Sequence, residues 1–140
     1  MSEKIKDKIN EIGKYLEELD SFAPTEFDEY EQNVEKKAAC ERYFEKIIEA
    51  VVDLTFLLLK NKNLKIPEED KGAFDVLVKE KIITVELADR LKDAKGMRNI
   101  LAHEYGVVDD TIVFESITEE LGKDVRLLLE KVEEYLKSKG

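Results

Sequence analysis

Apolar side chains recur every three or four residues over most of the chain, and this spacing constrains the fold more than any other feature. Side chains at such intervals share one face of an α-helix. The pattern therefore predicts an all-α protein, an antiparallel bundle of four or five helices with short connections. The clearest series are Ile5, Ile9, Ile12, Leu16 and Leu19 near the start, and Val113, Ile117, Leu121, Val125, Leu128, Val132 and Tyr135 near the end.

Capping residues and helix breakers divide the chain into five predicted helices. Thr25 and Asp28 resemble a capping box that restarts a helix after Pro24, and Gly106 is the predicted terminator of the fourth helix. The predicted ranges are about Ser2 to Leu19, Thr25 or Asp28 to Lys60, Pro67 to about Glu80, Thr84 (as a cap) to the stretch before Gly106, and Asp109 or Asp110 (as a cap) onwards.

The second half of the second helix is apolar on nearly every side. Between Phe44 and Leu59 most residues are aliphatic or aromatic, and Phe56 and Leu57 extend this surface onto the otherwise charged face. A helix with this composition is usually buried in more than one direction. We therefore expect it to be the central helix of the core and to contribute to a contact between subunits.

Size and composition predict one cytoplasmic domain, residues 1–140. The 140 residues suffice for a single hydrophobic core, and Cys40 is the sole cysteine, which excludes an intramolecular disulfide. No apolar stretch approaches the roughly 18–20 residues needed to cross a bilayer, so no membrane association is expected. The net charge of −10 disfavours general attachment to nucleic acid. Any contact with RNA must then be local.

The residues with the most chemical potential lie together, in the stretch from Met97 to Gly106. It contains the sole histidine, His103, one of four arginines, Arg98, and Tyr105. A guanidinium can hold two phosphate oxygens, and an imidazole exchanges protons near neutral pH. Cleavage of RNA requires removal of a proton from the 2′-hydroxyl, stabilisation of charge on the phosphate and protonation of the leaving oxygen. Arg98 and His103 are thus candidate catalytic residues, with no cofactor or metal required.

The geometry of a helix sets two conditions on this pair. Five residues separate Arg98 and His103, about 7.5 Å along the axis and about 140° around it. Either the arginine side chain must swing round, or the helix must end near Ala102 so that His103 turns inwards. If both an acid and a base are histidines, two chains must supply them. This predicts a symmetric homodimer with a shared cleft.

Three further polar residues are candidates for lining the site. Asn99 follows the arginine directly, and Glu49 and Asp53 lie on the charged face of the second helix. Such carboxylates can orient a cation, although a solvated stripe with ion pairs along the helix explains the same pattern. A carboxylate metal centre is disfavoured because the chain has one histidine and no Glu-x-x-His pair.

The stretch Arg98-Asn99-Ile100-Leu101-Ala102-His103-Glu104-Tyr105 strongly resembles the Arg-x4-His-x-Tyr signature of HepT-like toxins of the HEPN superfamily. Other segments occur in the family's order: Glu41-Arg42 at the start of a long apolar helix, Phe74-Asp75-Val76-Leu77 followed by Ile82-Ile83, and Glu86-Leu87-Ala88 before the signature. The resemblance covers most of the chain.

The resemblance implies an all-α homodimer that cleaves RNA without a metal ion, in a cleft between the subunits. By position, Arg98 and His103 would be the catalytic pair. Tyr105 would be the residue to which a minimal nucleotidyltransferase (MNT) antitoxin transfers AMP from ATP, which silences the toxin. AMP there adds bulk and negative charge beside the cleft. The alternative is a non-catalytic helical module that binds a nucleotide or another protein through the same residues.

Overall fold

The computed structural model describes residues 2–103 and 109–139, where every regular element is helical. The predicted all-α class is confirmed. Tyr105 and the predicted terminator Gly106 lie outside the described residues. The elements are α1 (Glu3–Phe22), α2 (Phe27–Gln32), α3 (Val34–Asn61), α4 (Asp70–Lys79), α5 (Val85–His103), α6 (Asp110–Glu115), a π-helical turn (Ser116–Glu120) and α7 (Leu121–Lys139).

Helix α3 is the centre of the bundle, as its apolar composition predicts. It contacts α1, α2, α4, α5 and the π-helical turn. Side chains on several of its sides are buried, among them Ile47, Ile48, Ala50 and Val52. Burying an isoleucine or valine side chain typically stabilises a fold by about 1.5–3 kcal/mol, so α3 supplies much of the core. Phe56 and Leu57 pack against that core and are half-buried.

The predicted second helix is interrupted near its start. The backbone of Asn33 is extended, with φ −101° and ψ 96°, and its side-chain oxygen accepts a hydrogen bond of 3.0 Å from the Lys36 amide. Asparagine is a strong N-cap, so it begins α3 and separates α2 from it. The predicted capping box at Thr25 is wrong, because Glu26 occupies the N-cap of α2 and makes no side-chain cap.

The predicted last helix is also divided, by the π-helical turn between α6 and α7. The Leu121 amide donates to the carbonyl of Ser116, five residues back. In a regular α-helix, side chains four residues apart are offset by about 40° around the axis, so the three successive steps from Val113 to Val125 would add up to about 120°. The wider turn reduces this offset, so Val113, Ile117, Leu121 and Val125 are all buried. The cap at Asp109 is confirmed, since its side chain accepts from the Thr111 amide at 2.9 Å.

Helices α4 and α5 lie against each other and position the stretch from Met97 to His103. Thr84 caps α5 as predicted, because its hydroxyl oxygen accepts a hydrogen bond of 3.2 Å from the Leu87 amide. Leu87, Ala88 and Leu91 are buried. This anchors the first half of α5, and its second half carries the arginine and the histidine. Helix α4 begins at Asp70, three residues after Pro67. None of the helices in the described ranges is long and apolar enough to cross a membrane.

Candidate active site on α5

Arg98 is held in place by partners on two helices. Its Nη2 donates to Glu49 Oε1 on α3, and its Nη1 donates to Asn99 Oδ1 at 3.2 Å. The Arg98 side chain is 18% exposed, whereas that of Glu49 is 46% exposed. Arg98 Nε is buried and has no hydrogen-bond partner in the described part of the chain. The guanidinium therefore lies at the protein surface with its orientation fixed by a carboxylate and an amide.

Lys95 joins this cluster, although the sequence did not single it out as a site residue. Its Nζ donates to Asn99 Oδ1 at 3.0 Å and pairs with Asp70 Oδ2 at 3.3 Å. Lys95 is only 9% exposed, which is rare for a lysine. Asn99 Oδ1 thus accepts hydrogen bonds from two cations, one turn apart on α5. The signal in the sequence is the four-residue spacing of Lys95 and Asn99.

His103 is exposed and is the last described residue of α5. Because His103 is exposed, the inward turn of its imidazole, expected if the helix ends near Ala102, is not what the structure shows. Arg98 instead reaches round the helix to Asn99, which precedes His103 by four residues and lies on nearly the same side. The candidate catalytic pair therefore occupies neighbouring turns of one helix, with the Asn99 amide between them.

The two candidate carboxylates on α3 have different partners. Glu49 meets Arg98, as described above. Asp53, one turn further along, pairs with Lys8 of α1 at 3.7 Å and its side chain is 64% exposed. The structure thus brings Glu49 and Asn99 to Arg98, and places Asp53 on the side facing α1.

The basic segment from Leu87 to His103 is largely neutralised by acids from other helices. The sequence from Leu87 to His103 contains four lysines and arginines and only two aspartates, but each of these four cations has a carboxylate partner from another helix. Because an ion pair cancels most of the local field, little unpaired positive charge remains on this part of α5. The pairs are Arg90–Asp124, Lys92–Asp75, Lys95–Asp70 and Arg98–Glu49.

A cavity of about 240 Å³ lies on another side of α5, between α3 and α7. Its floor is apolar and includes Phe44, Ile48 and Met97, and its rim is charged. Arg98, Asn99 and His103 are not among its lining residues. The described residues contain no group of three or more histidine, cysteine, aspartate or glutamate side chains that could hold a metal ion.

Comparison with known proteins places the chain in a family. The family model described as "Ribonuclease HepT-like" matches residues 12–137. The chain belongs to the HepT-like ribonuclease family. The predicted resemblance is therefore confirmed, and so is the predicted class of enzyme, an endoribonuclease.

Individual relatives agree with this assignment. The tRNA nuclease HepT of Aphanizomenon flos-aquae (strain 2012/KM1/D3) is 30% identical to this HepT-like chain over 132 residues, which cover 94% of the chain and 89% of the relative. The mRNA nuclease HepT of Shewanella oneidensis is 34% identical over 65 residues, 46% of this chain and 49% of that one.

Solved structures share the fold. A tri-AMPylated Shewanella oneidensis HEPN toxin, in complex with its MNT antitoxin, superimposes with a TM-score of 0.87 at 22% identity, covering 95% of this chain and 98% of that one. A toxin–antitoxin crystal structure with AMP-PNP gives 0.85 at 20% identity, with 94% and 98% covered. The HEPN-type helical fold is confirmed. This HepT-like chain thus shares its fold with solved toxin structures.

Proposed function

We propose that this protein is a ribonuclease toxin that cleaves RNA without a metal ion, in a cleft formed by two copies of the chain. Arg98 and His103 of both copies would be the catalytic residues. The observation that carries the proposal is the surface cluster on α5: a guanidinium oriented by Glu49 and Asn99, followed one to two turns later by an exposed imidazole.

The chemistry follows from the properties of the two groups. The Arg98 guanidinium binds the non-bridging oxygens of the scissile phosphate and offsets the charge that develops there. One His103 imidazole takes the proton of the ribose 2′-hydroxyl, whose oxygen then attacks phosphorus. A second imidazole gives a proton to the departing 5′-oxygen. The chain has a single histidine, so the second imidazole comes from the other copy.

An exposed aliphatic side chain supports the homodimer. Ile100, between the arginine and the histidine on α5, is 39% exposed. An aliphatic side chain beside the site is suited to burial when a second copy packs against this face.

Replacement of the two residues tests the assignment. We expect His103→Ala and Arg98→Ala to lower RNA cleavage by roughly 100-fold or more, and EDTA to leave cleavage by the wild-type protein unchanged. Arg126→Ala is the matched control, because Arg126 is also paired with a carboxylate, Asp20, but on α7. Light scattering should report a dimer for every variant. Full cleavage by His103→Ala, free of contaminating nuclease, would contradict the proposal.

Regulation by AMP transfer is the second part of the proposal. A minimal nucleotidyltransferase would catalyse attack of the Tyr105 phenol oxygen on the α-phosphate of ATP, which forms a phosphodiester, releases pyrophosphate and frees the phenolic proton. Covalent geometry keeps the Cα of Tyr105 within about 7 Å of the Cα of His103, so the attached AMP would lie beside the cleft. The AMPylated HEPN toxin among the structural neighbours supports this assignment.

Mass spectrometry tests the modification. After co-expression with a nucleotidyltransferase partner, we expect AMP on the wild-type protein and none on Tyr105→Phe. Tyr15→Phe is the matched control, since the Tyr15 hydroxyl donates to Glu11 at 3.0 Å on α1. AMP found only on other residues would refute the role of Tyr105.

A further inference from the structure

Lys95 is a buried cation that links the candidate site residue Asn99 to Asp70 on α4. It is 9% exposed, and its ammonium group contacts Asn99 Oδ1 at 3.0 Å and Asp70 Oδ2 at 3.3 Å. Burying an ammonium is costly unless it is paired and hydrogen-bonded. Because so little of Lys95 is exposed, it is not placed to bind RNA directly.

The contact with Lys95 fixes the orientation of the Asn99 side chain. An ammonium group has donors and no acceptor, so the Asn99 amide must present its oxygen to Lys95 and not its NH₂ group. The same oxygen accepts from Arg98 Nη1 at 3.2 Å. Two cations on one side of Asn99 therefore hold the amide oxygen, and the NH₂ group faces away from both.

The order of these residues around α5 shows which way that NH₂ group faces. At 100° per residue, Lys95 lies about 60° from Arg98, Asn99 about 40° further, and His103 about 40° beyond Asn99. Lys95 and Asn99 thus fill the sector between the two candidate catalytic residues. With its oxygen turned towards the cations, Asn99 presents its NH₂ group on the His103 side.

We propose that Lys95 is a positioning residue of the nuclease site. Through Asn99 it holds the Arg98 guanidinium in place and points an amide donor towards the position of a phosphate oxygen beside His103. Asp70, at the start of α4, completes the arrangement by holding the ammonium. This inference rests on the proposed function, and it adds two residues, Lys95 and Asp70, that act on the reaction without touching RNA.

Kinetic coupling between Lys95 and Asn99 tests the inference. We expect Lys95→Met to lower kcat/KM for RNA cleavage by roughly 10- to 100-fold, because displacement of a catalytic group by about 1 Å has effects of this size. In an Asn99→Ala background the same substitution should cost less than about twofold, since the residue through which Lys95 acts is gone. Losses that multiply in the double variant would overturn the inference.

Two more variants separate positioning from general stability. Lys92→Met is the matched control, because Lys92 also joins α5 to α4, through Asp75, but does not contact Asn99. It should retain cleavage within about twofold of wild type. Asp70→Asn retains Lys95 but weakens the contact that holds its ammonium group. We expect a smaller loss of kcat/KM than in Lys95→Met, and no loss in the Asn99→Ala background. Equal losses in Lys92→Met and Lys95→Met would contradict the inference.

A spectroscopic measurement gives an answer that does not depend on activity. The side-chain NH₂ resonances of Asn99, assigned by their absence in Asn99→Ala, should move in Lys95→Met and stay in place in Lys92→Met. Unchanged resonances in Lys95→Met would overturn the inference, and so would full cleavage by this variant when the wild-type protein is active. A wild-type protein that does not cleave RNA would instead overturn the proposed function, and the role of Lys95 with it.

Discussion

Glu49 contacts the same guanidinium, that of Arg98, to which an RNA phosphate would bind. The negative charge of Glu49 should therefore weaken RNA binding. Glu49→Gln removes the negative charge, while the glutamine oxygen can still accept a hydrogen bond from Nη2. The orientation of Arg98 is thereby preserved. We expect this variant to bind RNA more tightly than the protein with Glu49.

The size of the effect follows from Coulomb's law. A carboxylate and a phosphate on adjacent edges of one guanidinium lie roughly 6 Å apart, where their repulsion is about 0.7 kcal/mol in water and about 3 kcal/mol at an effective dielectric constant of 20. The Glu49 side chain is 46% exposed, which favours the lower half of this range. A gain of about 1–1.4 kcal/mol corresponds to a roughly five- to tenfold lower Kd.

The assay is fluorescence anisotropy of a labelled single-stranded RNA, with His103→Ala in every protein so that the RNA remains intact. Asp53→Asn is the matched control, because Asp53 lies one turn along the same helix and pairs with Lys8 instead. It removes the same charge and should change Kd by less than about twofold. The gain from Glu49→Gln should also shrink as salt is added. If Glu49→Gln bound no better than Asp53→Asn, the carboxylate would not compete with RNA for Arg98.

Two further predictions concern titratable groups in the core. Burial raises the pKa of the Cys40 thiol to about 11, so alkylation by iodoacetamide at about pH 8 should be at least 100-fold slower in the folded protein than in urea; comparable rates would refute this. Burial is also the main cause that raises the pKa of Glu41, so this carboxyl binds a proton more readily in the folded chain, and its contribution to stability grows as pH falls towards about 4. Glu41→Gln should therefore unfold at a higher urea concentration than wild type at pH 7, and the difference between the two midpoints should become smaller in acid. A difference that does not depend on pH would contradict the prediction.

The main helices could be predicted from sequence because their signals are local. The stripe on α1 and the cap at Thr84 are encoded within a few neighbouring residues. The break at Asn33 was missed because the apolar spacing continues across it. The π-helical turn was not predicted. Its signal in the sequence is the spacing of four residues, three times in succession, between the apolar residues from Val113 to Val125.

The sequence allows the candidate catalytic residues to be predicted, but not the residues that contact them. Arg98 and His103 are recognisable because few side chains combine a permanent cation with a neutral-pH proton carrier. Nothing local distinguishes Glu49 from Asp53, since both lie on one face of α3, and the axial offset of α3 against α5 decides which one meets Arg98. The burial of Lys95 depends on the packing of α4 against α5, which helical periodicity does not specify.

The π-helical turn also determines how the chain tolerates the loss of a residue. A single deletion within Ser116–Glu120 would let continuous α-helix form, because the π-helical turn holds one residue more than the α-helical turn that would replace it. Helix α6 would keep nearly the same orientation relative to α7, and Phe114 would keep its ring contacts with Phe27 and Tyr30, at centroid distances of 5.7 and 5.2 Å. A single deletion within α7 would instead rotate the two parts of that helix by about 100° relative to each other. The chain should therefore tolerate the loss of one residue in the π-helical turn better than the same loss in α7.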